Sequence, residues 1–583
     1  MEEAAACRGA PVVQGREAWI RPPEKRACRP QSRPGRQRNA DATNAREEKS
    51  MRRLLMSLVP VLALMFAAGV ARAADGGTFR SAMRTGCIEM GTLHTTCGHR
   101  LDETVLQGLV HIKWTGDGVQ PMLAESWKTS DGGKTYVFNL RHGVKWHDGQ
   151  PFTAKDVVFS LNLYANPKVG SPWAQKLSAV AGYKAFQDGS ATSLAGVKAL
   201  DDNTVQIELD SAKPLWVELQ LIAISIFPEH ILGKVAPADI KGNAFWVNRV
   251  GTGPFVWKKY ESDQYVEVDR NPDYFLGAPK LDRIIYQIYK DVPPIIAALE
   301  TQEVDAMSYE GGGVPISELP RLQKLDYLTV LPKFSAGLPT YLQFNLENKR
   351  FADVSVRQAM LYAIDRKAII ETVKQGAGEL LNTLFPQDWA RAKDLEPYDY
   401  NPDKAKQLLT DAGWDASQPV DFIYYYSDQM NVDTVTAIQS YLAAVGVNIQ
   451  PRLLDPAAIN QIYADGSFQM GFFAQGMGLD PSLGSPLVVC GAKPLAMGYC
   501  NPKVDELFNK GLESNDRATR AASYQEASRI LNQDLPKAWL WNEVRPLAFN
   551  NRIVGLAQHF KEQPLVIFNH PVYNEVEKWE VAK

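Results

Sequence analysis

Leu123-Ala124-Glu125-Ser126-Trp127, Lys134-Thr135-Tyr136-Val137-Phe138, Gly143-Val144-Lys145-Trp146-His147-Asp148-Gly149 and Pro151-Phe152-Thr153-Ala154 fall within residues 123–154. Tyr136, Phe138 and Leu140 alternate with smaller or polar neighbours, the pattern of a half-buried strand, and the Asp131-Gly132-Gly133 run before them supplies a tight turn. Asp148-Gly149 supplies a second turn. His147 beside Asp148 has the composition of a general base with its orienting carboxylate, but adjacent strand or turn residues point apart, so the block reads as scaffold.

Upstream, the sequence changes character at Met51. Residues 1–50 are rich in Arg and Pro, carry no apolar periodicity and read as a non-native upstream extension. From Met51, Arg52 and Arg53 form a positive start, Leu54 to Ala71 is an almost unbroken apolar run of 18 residues, and Ala71-Arg72-Ala73 is a small-residue cleavage box. Together these describe a signal peptide over residues 51–73 and export to the periplasm. No Cys closely follows the run, so a lipoprotein start is not expected.

The remaining 510 residues exceed what one hydrophobic core organises and imply two or three domains. Residues 1–73 take away 14 basic and 7 acidic side chains, which leaves 49 and 59 and a net charge of −10. An acidic surface argues against nucleic acid or an anionic membrane as partner. Four cysteines remain, Cys87, Cys97, Cys490 and Cys500, which allow three connectivities; short loops favour pairing Cys87 with Cys97 and Cys490 with Cys500.

Downstream, Val420 to Tyr425 reads as a strand, Val435, Ile438, Leu442 and Val445 mark one helical face, Gly446 stops that helix, and Val447, Ile449 and Leu453 read as a second strand. This is a βαβ unit of a parallel or mixed sheet. Ser355 with Gln358 suggests a capping box for a helix through Val356, Met360, Ala363 and Ile364, and Pro402 and Gly413 bracket another helix. Between about residues 120 and 245 strand signals dominate, as in Val205, Ile207 and Leu209.

The opening block resembles the signature of the extracellular solute-binding proteins, family 5, that serve dipeptide, oligopeptide and nickel importers. Further matches run along the chain: Gly251-Thr252-Gly253-Pro254-Phe255, Arg270-Asn271-Pro272-Asp273-Tyr274-Phe275, Glu303-Val304-Asp305-Ala306, Val356-Arg357-Gln358-Ala359, and Tyr400-Asn401-Pro402 leading to Ala412-Gly413-Trp414. The resemblance implies an α/β fold of the type II periplasmic binding protein class, two lobes closing on a hinge with an extra inserted domain. The first lobe would comprise residues 74–119, 245–337 and 548–583, the inserted domain 120–244, and the second lobe 338–547. A monomer of this kind would enclose a small solute, foremost a peptide, and deliver it to permease subunits in the inner membrane driven by separate ATPases. It would be no enzyme and need no cofactor. No G-x-x-x-x-G-K-[ST] loop is present, consistent with ATP hydrolysis residing elsewhere.

Peptide binders of this family carry Asp-Tyr-x-Asp-Pro after a strand, whose first Asp pairs with the peptide ammonium. Here the stretch is Met477-Gly478-Leu479-Asp480-Pro481, with Met477 where that Asp would stand. A buried ammonium without a carboxylate is costly, so a sugar, an opine-like conjugate or a metallophore competes with a free-amine peptide. By position, Phe472, Gln475, Met477, Asp480, Trp389, Trp541 and Asn345 are the candidate ligand contacts. His94, Cys97 and His99 lie in one short loop and form an alternative set for a soft transition metal, which oxidation of Cys97 would remove. An exported hydrolase is the competing class, but no G-x-S-x-G elbow, H-E-x-x-H helix or C-x-x-C pair occurs.

Overall fold

The computed structural model describes residues 77–582 apart from 85–87, 95–98, 114–117, 308–312, 333–334, 479, 494 and 563–574. The upstream extension, the signal segment and the Cys87–Cys97 pairing lie outside the described residues.

Three sheets of four or more strands organise the described chain. The signature block forms the smallest, an antiparallel sheet ordered Ala124–Ser130, Thr135–Leu140, Thr204–Glu208, Val197–Asp201. Tyr136, Phe138 and Leu140 point into its core, as the alternation predicts. The turn before them places Asp131, Gly132 and Gly133 at φ of 53°, 67° and 93°. A Cβ on Gly133 would stand 2.8 Å from the Pro214 backbone, so that position tolerates only glycine. Strand signals understate this region, because helix Ala154–Ala165 packs against the sheet. Its start is a capping box of Thr153 and Asp156, a pattern hidden in the Phe-Thr-Ala run.

A seven-stranded mixed sheet carries Thr78–Arg84 near its middle, parallel to both Arg283–Tyr289 and Ala306–Met307. A six-stranded sheet is ordered Gly378–Leu380, Lys537–Val544, Ser335–Phe344, Met470–Ala474, Val420–Tyr424, Ile449–Leu453. Its Val420–Tyr424 and Ile449–Leu453 strands are parallel and joined by helix Gln429–Ala443, the βαβ unit read from the periodicity. The cap of helix Val354–Ala363 differs from the expectation: Asp353, not Ser355, is the N-cap, and its carboxylate accepts the Ser355 N–H at 2.8 Å. A carboxylate two residues earlier captures the exposed amides first and lengthens the helix.

The chain passes between the two large sheets twice, from Leu331 to Ser335 and from Val544 to Leu547. The crossings lie side by side, since Leu331 pairs with Leu547 and Ser335 with Val544.

His147 explains why the signature block sits where it does. Gly251 N–H donates to its Nδ1 at 3.2 Å, so the proton resides on Nε2, which donates to the Gly253 carbonyl at 3.0 Å. Both partners belong to the Gly251-Thr252-Gly253 run, so one imidazole ties the four-stranded domain to the segment entering the seven-stranded sheet. Asp148 turns away and pairs with His230 at 2.7 Å. Burial lowers the His147 pKa to about 4.

Cys490 and Cys500 form a disulfide. Closing so short a loop removes about 2–3 kcal/mol of unfolded-state entropy. The double variant Cys490→Ser/Cys500→Ser should therefore unfold at correspondingly lower urea concentration, and an unchanged midpoint would show that the bridge contributes no stability.

Candidate ligand cleft

A cavity of about 1090 Å³ lies between the edge of the six-stranded sheet and segments from residues 103–112 and 173–225. One wall comes from residues 103–112 and Gly118 and from a later segment that includes Trp173, Lys176 and Glu218. The opposite wall comes from Tyr425, Tyr426, Gln475, Asp480 and Arg520, and Leu338 and Arg545 line it beside the two crossings. The size suits a short peptide or a molecule of similar bulk.

Of the seven positions proposed from sequence, Gln475 and Asp480 line this cavity. The other five do not. Phe472 and Trp541 are sealed in the core of the six-stranded domain, Trp541 donating its Nε1–H to Glu543 at 2.8 Å. Met477 is fully buried, and a Cβ on Gly484 would stand 2.1 Å from its Cε, so the absence of a side chain at Gly484 makes room for it. Asn345 donates to the Gly466 and Phe468 carbonyls at 2.9 and 3.0 Å and fixes a turn. Trp389 lies behind the wall, stacked under Arg517 with the guanidinium 4.2 Å from its ring centroid. Strand position alone does not distinguish the face toward the cleft from the face toward the helices, and here hydrophobic packing took these side chains inward.

Asp480 holds two jobs. It caps the segment Pro481–Leu487 by accepting the Ser482 N–H at 3.0 Å, and it pairs with Arg520 at 2.5 Å, both side chains being largely buried. Arg520 also donates to the Gly511 carbonyl at 2.9 Å. A carboxylate so engaged cannot at the same time neutralise a solute ammonium without releasing the arginine. Sequence reasoning missed Arg520, Glu218 and Lys176. Lys176 has its pKa lowered by burial and donates to the Leu219 carbonyl at 3.3 Å. Beside the cavity, Tyr341, Tyr463 and Phe473 wall a smaller aromatic recess of about 270 Å³ that shares Tyr425, Ala474 and Gln475 with it.

Arg520→Met should leave Asp480 buried and unpaired, lowering stability by about 3–5 kcal/mol. A urea midpoint within experimental error of the parent would contradict this.

For the metal alternative, His94 packs edge-on against Trp246 with ring centroids 6.0 Å apart, while Cys97 and the His99 side chain lie outside the described residues. Among the described residues no group of three or more His, Cys, Asp or Glu side chains is placed to hold a metal ion. No helix among them is long and apolar enough to cross a membrane.

The model for bacterial extracellular solute-binding proteins, family 5 (middle), matches residues 118–489. A protein of Brucella ovis, itself an inferred ABC transporter peptide-binding protein, is 33% identical over 434 residues, 72% of this chain and 78% of the relative. Heme-binding protein A of Haemophilus influenzae is 30% identical over 476 residues, 78% of this chain and 85% of the relative. Among solved structures, the ABC transporter substrate-binding protein CtaP of Listeria monocytogenes superposes with a TM-score of 0.73 at 25% identity, covering 88% of this chain and 100% of its own. With the three-domain architecture and the cleft between its walls, these matches place the chain in the family of bacterial extracellular solute-binding proteins, family 5.

Proposed function

We propose that this protein is the periplasmic binding component of an ABC importer, capturing a peptide-class solute in the 1090 Å³ cleft and passing it unaltered to a membrane permease. The observation that carries the reading is the cleft itself, enclosed by walls from separate domains and flanked by two short crossings. The two chain crossings between the large sheets act as the hinge, since they join the sheets at the flanking pairs Leu331–Leu547 and Ser335–Val544. A solute contacting both walls binds the closed form better and shifts the equilibrium toward it. A shift from mostly open to mostly closed needs about 5 kcal/mol of differential binding, within the roughly 8 kcal/mol of a micromolar ligand. Residues 51–73 act as the export signal.

Peptide leads among solute classes because the Brucella ovis relative is assigned to peptides. A thermal-shift screen against dipeptides, oligopeptides, disaccharides, opines, haemin and metal ions tests this. Peptides should raise the melting temperature with concentration, and a response confined to another class would replace the peptide assignment.

A further inference from the structure

The cleft lacks a carboxylate at Met477, and Asp480 is committed to Arg520, so an ammonium needs a different partner. Among the described residues, three acidic side chains line the cavity: Glu103, Glu218 and Asp480. Glu103 is already engaged. Glu218 differs from both. It stands on the short helix Trp216–Leu219 of the inserted domain, and its Oε2 is shut off from solvent yet accepts no hydrogen bond among the described residues. Burial, with a smaller push from the Asp480 charge, raises its pKa, opposed in part by its own backbone N–H and by Arg520. A carboxyl in that setting either holds a proton or awaits a donor.

We propose that Glu218 is the ammonium anchor of the cleft, accepting hydrogen bonds from the free amino group of the captured solute and so supplying from the inserted domain the carboxylate absent at Met477. The assignment rests on the peptide reading above. Glu218 lines the cavity, so its side chain is within reach of a solute held there. With the ammonium held on this wall, the rest of the solute extends toward Tyr425, Tyr426 and Gln475 on the other wall. Binding of the amino end then couples directly to closure, because the anchor and the remaining contacts belong to different domains. Removing one charge-assisted hydrogen-bonding partner costs about tenfold to a hundredfold in affinity.

The test uses a pooled library of lysine-free peptides of two to five residues and the same pool N-acetylated, with retention by the purified protein read by mass spectrometry. The parent should retain the free-amine pool at least tenfold better than the acetylated pool. Glu218→Gln, which keeps the shape, should lose that preference, and Glu218→Asp, which keeps the charge, should recover part of it. A cooperative melt of each variant without peptide establishes that it is folded. Equal retention of both pools by the parent, or undiminished free-amine retention by Glu218→Gln, would overturn the anchor while leaving peptide capture intact. Equal loss of both pools in Glu218→Gln would make the residue a closure contact and likewise overturn the assignment. Retention of neither pool by the parent would remove the peptide reading and the anchor with it.

Discussion

Replacing Arg249 by Met should cost about 3–5 kcal/mol of stability, among the largest effects of a single substitution in this protein. Arg249 and Asp102 form a pair at 2.6 Å with both side chains about 1% exposed. The guanidinium also donates to the Ile88 carbonyl at 2.5 Å and lies 4.7 Å from the centroid of the Trp257 ring. Burial lowers the Arg249 pKa, and the Asp102 charge opposes that shift. The pair joins helix His99–Val105, on the cleft side, to the segment that leads into the Gly251-Thr252-Gly253 run. Met fills much of the aliphatic volume but removes the guanidinium that Asp102 pairs with, and the loss of that buried pair dominates. Adding Asp102→Leu should recover most of it. Urea midpoints of the parent and the single and double variants check both statements; a single-variant loss below about 1 kcal/mol would contradict the first.

Acidification should destabilise the fold by about 3 kcal/mol through His147 alone. The imidazole is neutral in the folded protein down to about pH 4, whereas in the unfolded chain it takes up a proton near pH 6.5. The unfolded state therefore binds more protons in this window, and the contribution is complete above pH 6.5 and lost as pH falls to 4. Protonation would place a second N–H on Nδ1, facing the Gly251 N–H that it now accepts from. The variant His147→Gln should show a shallower dependence of stability on pH between 6.5 and 4, although it is less stable at pH 7. Parallel pH profiles for parent and variant would exclude His147 as the titrating group.

The residue pattern made much of the scaffold legible and little of the site. Tyr136, Phe138 and Leu140 alternate because one sheet face is buried, and the helix from Gln429 to Ala443 shows its period because one stripe packs on the sheet. Both signals are local. The cap at Asp353 was obscured by Ser355 and Gln358, which offer the same chemistry one half-turn later. The cleft is non-local. Glu218 and Arg520 line one cavity, and no spacing rule connects positions so far apart in the chain. Asp480 stands out in the sequence through the resemblance of its Asp-Pro pair to the family's stretch, and in the structure it caps Pro481–Leu487 and pairs with Arg520. Trp541 and Phe472 were misplaced because an aromatic residue on a strand flanked by helices reads the same whichever face it takes.

Closure around an unaltered solute is the central claim, and small-angle X-ray scattering of the purified protein with and without the free-amine peptide pool tests it most directly, with mass spectrometry of the peptides afterwards. A smaller radius of gyration with peptide and recovery of every peptide at its original mass are expected. An unchanged scattering profile at saturating peptide, or peptides returned cleaved or modified, would contradict that claim.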